Sequence, residues 1–396
     1  MMQPERFFAI VLALSLGARA DEPVAVAAAA GGDAKNPAPG HSMHGEAFND
    51  GPRQAAVLIP GTGDVHFPVT TTKELAQKFF DQGVGQLHGF WYWEAERSFR
   101  QVAAIDPDCA TAYWGMAMAN VNTPKRAAEF IRKAVALKEK VSRREQLWIA
   151  SLAGYYESRQ DEKERREAMV KALEDLSFEF RDDIEAKAFL VLQIWDNKNH
   201  GIAIPSRLAV DAIAQQVLAA NPMHPGAHHY LIHLWNYGRA DQRALPSAAR
   251  CGQSAPGIAH LWHMPGHTFS ELKRYADAAW QQEASARVDH AYTMRAHVLP
   301  DQIHNFAHNN DWLVKNLSNI GRVHDAIDLA RNMIELPRLG PGKQQSYRLG
   351  RDRLLETLWR FEMWDDLVHL DGTMYLDPFP DPLDEIRRRR AIGSAW

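Results

Sequence analysis

The sequence predicts an all-α protein, a right-handed α-α superhelix built from stacked helical hairpins. Two observations lead to this prediction. After Thr71, apolar residues recur at helical spacing almost throughout, and no alternating apolar and polar run reaches the length of a strand. The helices also come in pairs that repeat a pattern of bulky, small and proline residues, and one hairpin alone cannot bury its apolar face.

The pairing pattern is clearest near the start of the helical region. Phe79, Gly83, Ala95, Phe99 and Pro107 stand at the spacings of the tetratricopeptide repeat (TPR). Small residues allow the two helices to approach closely, and proline ends the second helix because the residue before it disfavours the helical conformation. Degenerate copies are predicted at residues 113–134, 228–256, 260–286 and 312–333. A TPR-like solenoid over residues 56–396 follows.

Two helix starts have the pattern of a capping box, in which a serine or threonine is followed three residues later by glutamate. Thr71 with Glu74 predicts the start of the first helix, and Ser142 with Glu145 predicts the start of a later one. Residues 138–200 are predicted to be helical but match no repeat well.

The N-terminal region predicts export. An apolar run at residues 7–16 is followed by Ala18-Arg19-Ala20, so residues 1–20 are typical of a signal peptide and residues 21–55 of a flexible tether. The run is too short for a transmembrane segment, which needs about 20 residues, and no later segment is suitable. We therefore expect a periplasmic or secreted protein. Cys109 and Cys251 either pair there or are buried free thiols.

Composition and motifs exclude several functions. The net charge of -4 argues against nucleic-acid binding, and the arginines at 387–390 follow acidic residues, as is typical of a solvated helix face. The sequence contains no GxSxG, Walker, GxGxxG or HExxH motif, and neither cysteine lies in a CxxC pair. No motif therefore commits the chain to catalysis.

Histidines are concentrated in three groups, each on the first helix of one of three successive hairpins. Spacings of three, four or seven residues place the members of a group on one helix face, and first helices of such a stack lie side by side. Neutral imidazole suits zinc, copper and iron. The sequence therefore predicts a transition-metal site, otherwise no cofactor, with these candidate ligands: His229, His233, His260, His263, His267, His304 and His308.

The alternative is that each histidine is structural, capping a helix or stacking on Trp235 or Trp262. His228 should point to the other helix face, and Pro265 indicates a helix that is kinked or begins only there. Carboxylates that could accompany the histidines are sparse; the candidates are Glu94, Glu96, Asp289, Asp301 and Asp311. Aromatic residues at 90–93 are expected either to pack between repeats or to contact a ligand.

Two motifs resemble those of a bacterial group of exported TPR proteins, namely HYLIH at residues 229–233 and HMPGH at residues 263–267. The phrases QLHGFWYWEAERSF, DPDCATAYWGMAMAN and GRDRLLETLWRFEMWDDL are similar to the same group, so the resemblance spans most of the mature chain. It implies the fold but no particular activity. The sequence departs from the group at Gly266, where serine is usual, and at Asn236, near which an acidic residue is common.

Three functions remain open at this stage. The first is a binding module whose His- and aromatic-rich concave groove holds a peptide, a protein or a small molecule, with or without a metal. The second is a metal-dependent hydrolase or oxygenase, in which Asp301 or Asp311 acts as a base or orients a ligand. In the third, the histidines only join helices by hydrogen bonds.

Overall fold

The computed structural model describes residues 55–236, 241–303, 305–337 and 345–396. The predicted signal peptide and nearly all of the predicted tether lie outside these residues. Within the described ranges the protein consists of α-helices, three short 3-10 helices and loops, without any strand. The predicted all-α fold is therefore confirmed. None of the described helices is both long and apolar enough to span a membrane.

The first half of the described chain contains these helices: α1 (Glu74–His88), α2 (Tyr92–Ile105), α3 (Ala110–Met118), α4 (Pro124–Leu137), α5 (Arg143–Glu157), α6 (Glu162–Glu179), α7 (Ile184–Asn199), α8 (Arg207–Ala220) and α9 (Pro225–Trp235). The second half contains α10 (Leu245–Ala248), α11 (Cys251–Ser254), α12 (Ala259–Glu271), α13 (Tyr275–Ala296), α14 (Phe306–Asn319), α15 (Val323–Glu335), α16 (Gln345–Arg360), α17 (Trp364–Leu370) and α18 (Pro382–Ala395).

Helices that follow one another pack as hairpins, as the repeat pattern predicts. In the first hairpin, Gly83 of α1 faces Phe99 of α2 so closely that a Cβ at Gly83 would lie 2.7 Å from the phenylalanine ring. Gly115 of α3 packs against the same ring from the next hairpin. One bulky residue between two glycines thus joins successive hairpins, which explains the spacing seen in the sequence.

Two local predictions have different outcomes. The capping box of Ser142 and Glu145 is present at the start of α5 and is confirmed. The box at Thr71 is wrong, because α1 begins after Lys73 without a side-chain cap. Thr71 instead donates its hydroxyl hydrogen bond to Asp106, at 2.6 Å.

The hairpin after α9 lacks a continuous second helix. Only the four-residue helices α10 and α11 occupy that position, with Pro246 at the start of α10. Gly252 of α11 packs directly against the Trp262 ring of α12, which brings α12 close to this segment. Cys251 in α11 and Cys109 are both buried free thiols, which settles the alternative between a disulfide and free thiols.

The N-terminal hairpin also packs against the middle of the chain. The backbone N–H of Gly257 donates to the carbonyl oxygen of Gly61 at 2.7 Å, and the Tyr292 hydroxyl on α13 donates to Glu94 of α2. In the turn between α1 and α2, the Phe90 ring contacts His229 of α9 and His260 of α12, so this turn covers part of the helix face that carries the histidines. That part of the predicted groove is filled by the chain itself.

Candidate metal centre

Helix α9 brings two imidazoles together. His229 and His233 are one turn apart, and their Nε2 atoms lie 3.0 Å from each other. The Nδ1–H of His229 donates to the backbone carbonyl oxygen of His88 at 2.6 Å. Because that hydrogen bond fixes the tautomer, the lone pair of His229 is on Nε2 and points toward His233.

Helix α12 repeats this arrangement. It begins at Ala259 and continues through Pro265, so one helix carries all three of its histidines. The Nε2 atoms of His263 and His267 are 2.7 Å apart, and Nδ1–H of His263 donates to the Asn309 side-chain oxygen at 3.0 Å. The Asn309 amide is itself oriented, because its nitrogen donates to the carbonyl oxygen of Gln282 at 2.9 Å. The lone pair of His263 therefore also lies on Nε2.

Six histidines form two groups, and in each group three ligand atoms lie within 4.8 Å of one another. We call them group one (His229, His233 and His260) and group two (His263, His267 and His308). The groups adjoin, because His260 and His263 are on the same helix with ring centroids 5.8 Å apart. The structure thus brings together six of the seven histidines predicted from the sequence. The seventh, His304, lies outside the described residues.

The distances fit ligands of a common ion. With metal–nitrogen bonds of about 2.0–2.1 Å, two ligand nitrogens are separated by about 2.9 Å at a right angle and about 3.4 Å at the tetrahedral angle. The Nε2 separation of 3.0 Å in group one is at the lower end of that range, and the separation of 2.7 Å in group two is about 0.2 Å shorter than the range. The alternative is a hydrogen bond between the two neutral imidazoles of each pair, and the metal content of the purified protein distinguishes it from metal binding.

The electrostatics of the cluster favour neutral imidazoles. Burial, together with the neighbouring histidines, holds the pKa of His229, His233 and His263 well below the usual value. The same causes lower the pKa of His267 to about 3. At neutral pH these rings therefore have a free lone pair, which is the form that binds metals.

Aromatic rings enclose group one. Phe90, in the α1–α2 turn, lies 4.4 Å from His229 between ring centroids, and Trp195 of α7 lies 4.2 Å from His233. Phe90 has a φ of 54°, a conformation that is costly for a bulky residue and that clusters at functional sites. Group two is more open, because His308 is exposed, and Trp312 contacts His267.

A third set of metal-ligand residues consists of His88, Glu185 and His224, all buried. Here each ring nitrogen has a protein partner. The Nε2 atoms of both histidines donate to Glu185 at 2.7 and 3.1 Å, while the Nδ1 atoms accept from the Tyr230 hydroxyl and from the N–H of Ala227. This set is a closed hydrogen-bond network that holds His88, and through its carbonyl group the ring of His229.

The carboxylates suggested by the sequence do not enter the two groups. Asp301 accepts from Ser346, Asp311 pairs with Arg353 at 2.6 Å, and Glu94 and Glu96 pair with arginines. Of these carboxylates, Asp289 is linked to His260 of group one through Asn305. Burial raises its pKa to about 7, and it accepts a weak hydrogen bond at 3.4 Å from Asn305, whose side-chain oxygen faces Nδ1 of His260 at 3.3 Å.

Sequence reasoning missed the groups that orient the rings. Asn305 and Asn309 flank His308 in the run HNFAHNN, so amides beside a histidine were a usable signal. No signal in the sequence indicated that the carbonyl group of His88 orients His229. His228 lies apart from both groups, as predicted, with its ring nitrogens near Ser247 and the carbonyl oxygen of Pro222.

The two departures from the resembling group have structural roles. At Gly266, a Cβ would lie 2.8 Å from the Gln282 side chain, so glycine allows α12 and α13 to pack closely. Asn236 donates its side-chain hydrogen bond to Thr268 at 2.8 Å, which ties the end of α9 to α12.

Comparison with known proteins does not assign the chain to a family. No protein-family model matches the sequence, and no curated protein matches it either. Solved structures that match include yeast Tom70, at 10% identity and a TM-score of 0.29, covering 82% of this chain and 89% of that one. The assembly chaperone of RpL4 (Acl4) has 14% identity and a TM-score of 0.28, covering 75% and 99%. The TPR domain of P58(IPK) has 10% identity and a TM-score of 0.21, covering 81% and 97%. At these values no property can be transferred to this chain.

Proposed function

We propose that this protein binds two transition-metal ions, one in each three-histidine group. One observation supports this most directly. In both helical pairs the Nδ1–H of the first histidine is fixed by an oxygen acceptor, so that its Nε2 lone pair points at the Nε2 of the second. Oriented imidazoles of this kind are typical of metal ligands, whose other ring nitrogen donates to a carbonyl or a side-chain oxygen.

The donor set restricts the metal. Both groups offer only imidazole nitrogen, which suits zinc, copper or iron rather than calcium or magnesium. A negatively charged side chain, Glu185, lies behind the rings of group one, where it accepts a hydrogen bond from His88. Burial opposes the ionisation of Glu185, but hydrogen bonds and contacts with His224 and His88 hold its pKa well below its ordinary value. The buried carboxylate would help to balance the charge of an ion in group one.

The metal content of purified protein tests the proposal. The mature protein is purified without chelator or affinity nickel, and its metals are measured by mass spectrometry. We expect about two ions per chain. The variants His229→Ala/His233→Ala and His263→Ala/His267→Ala should each lose the ion of their own group. His290→Ala/His324→Ala removes two exposed histidines outside both groups and should retain the full content.

Each outcome has a definite meaning. If either double variant in the cluster loses all metal, the six histidines bind a single shared ion and the two-ion proposal is wrong. If the parent protein contains no metal, and added zinc, copper or iron leaves its thermal stability unchanged, the histidines only form hydrogen bonds between helices.

The same site supports an enzyme as the alternative function. Three protein ligands leave a coordination position open, as in catalytic zinc sites, where the ion activates water or polarises a substrate. Group two has the exposure that a substrate needs, since His308 is exposed. Metal-loaded protein can be tested for ester hydrolysis and for oxygen uptake, with His263→Ala/His267→Ala as the blank. No difference from the blank would exclude these reactions at group two.

A second function, the binding of a peptide or protein segment, is favoured by a different observation. A cavity of about 620 Å³ lies between α14, α16 and α18 and carries both signs of charge, including Asp352 and Arg390, around the exposed Trp359. We propose that this cavity holds a peptide segment of mixed charge. Labelled peptides of such composition should bind, as measured by fluorescence anisotropy, and the variant Trp359→Ala/Arg390→Ala should weaken that binding.

We also propose that the protein is exported, on the basis of its N-terminal residues. N-terminal sequencing of the protein from its native cell should give a chain that begins near Asp21. A chain that retains residues 1–20 in the cytoplasm would contradict the proposal.

A further inference from the structure

A second cavity, of about 270 Å³, lies beside group one. It is enclosed by the α1–α2 turn, the end of α3, and helices α5, α6 and α7. Ligand pockets commonly measure about 300–1,000 Å³, so this cavity has the size for a small molecule rather than for a peptide. It is distinct from the larger cavity between α14, α16 and α18.

The cavity shares a wall with the histidine cluster. Phe90 and Trp195 line it, and the same two rings contact His233, with centroid distances of 5.6 Å and 4.2 Å. Only the rings of Phe90 and Trp195 would therefore separate a molecule in the cavity from His233 of group one. Phe90, the residue in the left-handed backbone conformation, stands at this boundary.

The walls of the cavity are mainly aromatic and apolar. Five aromatic residues, Phe90, Tyr92, Tyr155, Tyr156 and Trp195, line it together with methionine and leucine side chains. Phe90 stacks on Tyr92, and Tyr155 meets Tyr156 edge to face, so faces and edges of rings are both present around the space. Aromatic rings prefer such offset and edge contacts with other rings. This lining favours an occupant that is itself aromatic.

The charges at the cavity are matched within the protein. Arg166 pairs with Asp196 at 2.7 Å and with Glu162 at 2.8 Å, and it also donates to His200. Burial raises the pKa of Tyr92 and Tyr156, so their hydroxyl groups stay protonated and uncharged. No net charge is left to pair with an ionic ligand, and the cavity therefore suits an uncharged molecule.

We propose that this cavity binds a small, uncharged aromatic molecule, with one ring or two fused rings, beside the histidine cluster. Its position next to a metal ion rests on the proposed function, whereas the binding itself does not. The occupant would pack between the tyrosines of α5 and the rings of Phe90 and Trp195.

Calorimetric titration with phenol and indole tests this proposal on the mature protein, both metal-free and metal-loaded. Cyclohexanol serves as the non-aromatic probe of similar size, and benzoate as the charged aromatic one. We expect phenol and indole to bind about threefold to tenfold more tightly than cyclohexanol, because ring contacts add to the burial of area. Benzoate should bind more weakly than phenol, since burying its charge is costly.

Variants that fill the cavity locate the binding. Met118→Trp and Met169→Trp enter from different walls, and each should weaken phenol binding more than about tenfold. Leu208→Trp adds the same bulk at an exposed position of α8 and should bind like the parent. Circular dichroism shows which variants are folded, and two filling variants guard against the failure of one.

The proposal would be overturned by equal binding of phenol and cyclohexanol, or by phenol binding that survives in a folded filling variant. Absence of any binding would overturn it as well. Because the titration is also made on metal-free protein, a chain that binds phenol but no metal would refute the metal function and leave this site standing.

Discussion

Acidification of the metal-free protein should destabilise it strongly below pH 6.5. His229 and His263 are 0% and 1% exposed, and burial with neighbouring imidazoles holds their pKa well below the usual value. In the unfolded chain the same rings titrate near pH 6.5. Below that pH the unfolded state binds protons that the folded state does not, so the free energy of unfolding falls as the pH falls. Above it, these rings make no further difference.

The magnitude follows from the number of such rings. Each histidine that stays neutral in the folded state costs about 1.4 kcal/mol between pH 7.5 and pH 5.5. The two fully buried rings together should therefore cost about 3 kcal/mol, and His233 and His267 bring the contribution of the four rings to about 5 kcal/mol. Asp289 acts in the opposite direction, because burial raises its pKa to about 7. It takes up a proton in the folded state over the same interval, which offsets about 2 kcal/mol of the loss. Typical domains have an unfolding free energy of about 5–15 kcal/mol, so a net loss of about 3–4 kcal/mol from these groups should be readily measurable.

Urea denaturation at pH 7.5, 6.5 and 5.5, followed by circular dichroism in the presence of a chelator, measures the effect. The variant His263→Gln/His267→Gln should reduce the loss between pH 7.5 and 5.5 by about 3 kcal/mol, while His290→Ala/His324→Ala should leave that loss unchanged. An unfolding free energy that is unchanged between pH 7.5 and 5.5 in the parent would refute the reasoning, because it would mean that the imidazoles are hydrated and titrate normally.

The remaining predictions concern packing, ring orientation and thiol burial. Gly83→Ala should destabilise the protein by about 1–3 kcal/mol, because the new Cβ meets Phe99. At Gly154, which is also helical but has open space around it, the same change should stabilise the protein by about 0.5–1 kcal/mol. Thermal unfolding that ranks the two variants in the opposite order would contradict the packing. Asn309→Leu should weaken metal binding at group two by about tenfold to a hundredfold, since it removes the acceptor that orients a ligand ring; equal affinity in calorimetric titration would show that the amide has no such role. Burial raises the pKa of Cys109 to about 12, so a thiol reagent at pH 8 should modify it only after denaturation, and rapid modification of the folded protein would be inconsistent with the structure.

Much of the fold could be predicted from residue spacing. The first hairpin is the clearest case, since Gly83 and Phe99 pack on each other as the repeat pattern requires. The interruption after α9 was not predicted, because Ala244, Ala248 and Pro256 keep the repeat spacing although the helices there are only four residues long. Spacing reports which residues are small or bulky, but it does not report whether neighbouring segments leave room for a full helix.

The candidate site was predicted in its residues but not in its grouping. The sequence indicated seven histidines as candidate ligands of one metal site, whereas the structure places six of them in two groups of three. That division depends on the angle at which α9 and α12 cross and on where α14 contributes His308. Periodicity within a helix contains neither quantity.

The sequence by itself determined the helices, their pairing and the helix faces on which the histidines lie, because these follow from spacings of three, four and seven residues along a single backbone. The tertiary structure alone decided which imidazoles converge and which oxygens orient them. The carbonyl group that fixes His229 belongs to His88, 141 residues earlier in the chain, and the amide that fixes His263 comes from Asn309, 46 residues later. Contacts over such separations arise only when hairpins distant in the sequence pack together, since no local rule links their residues.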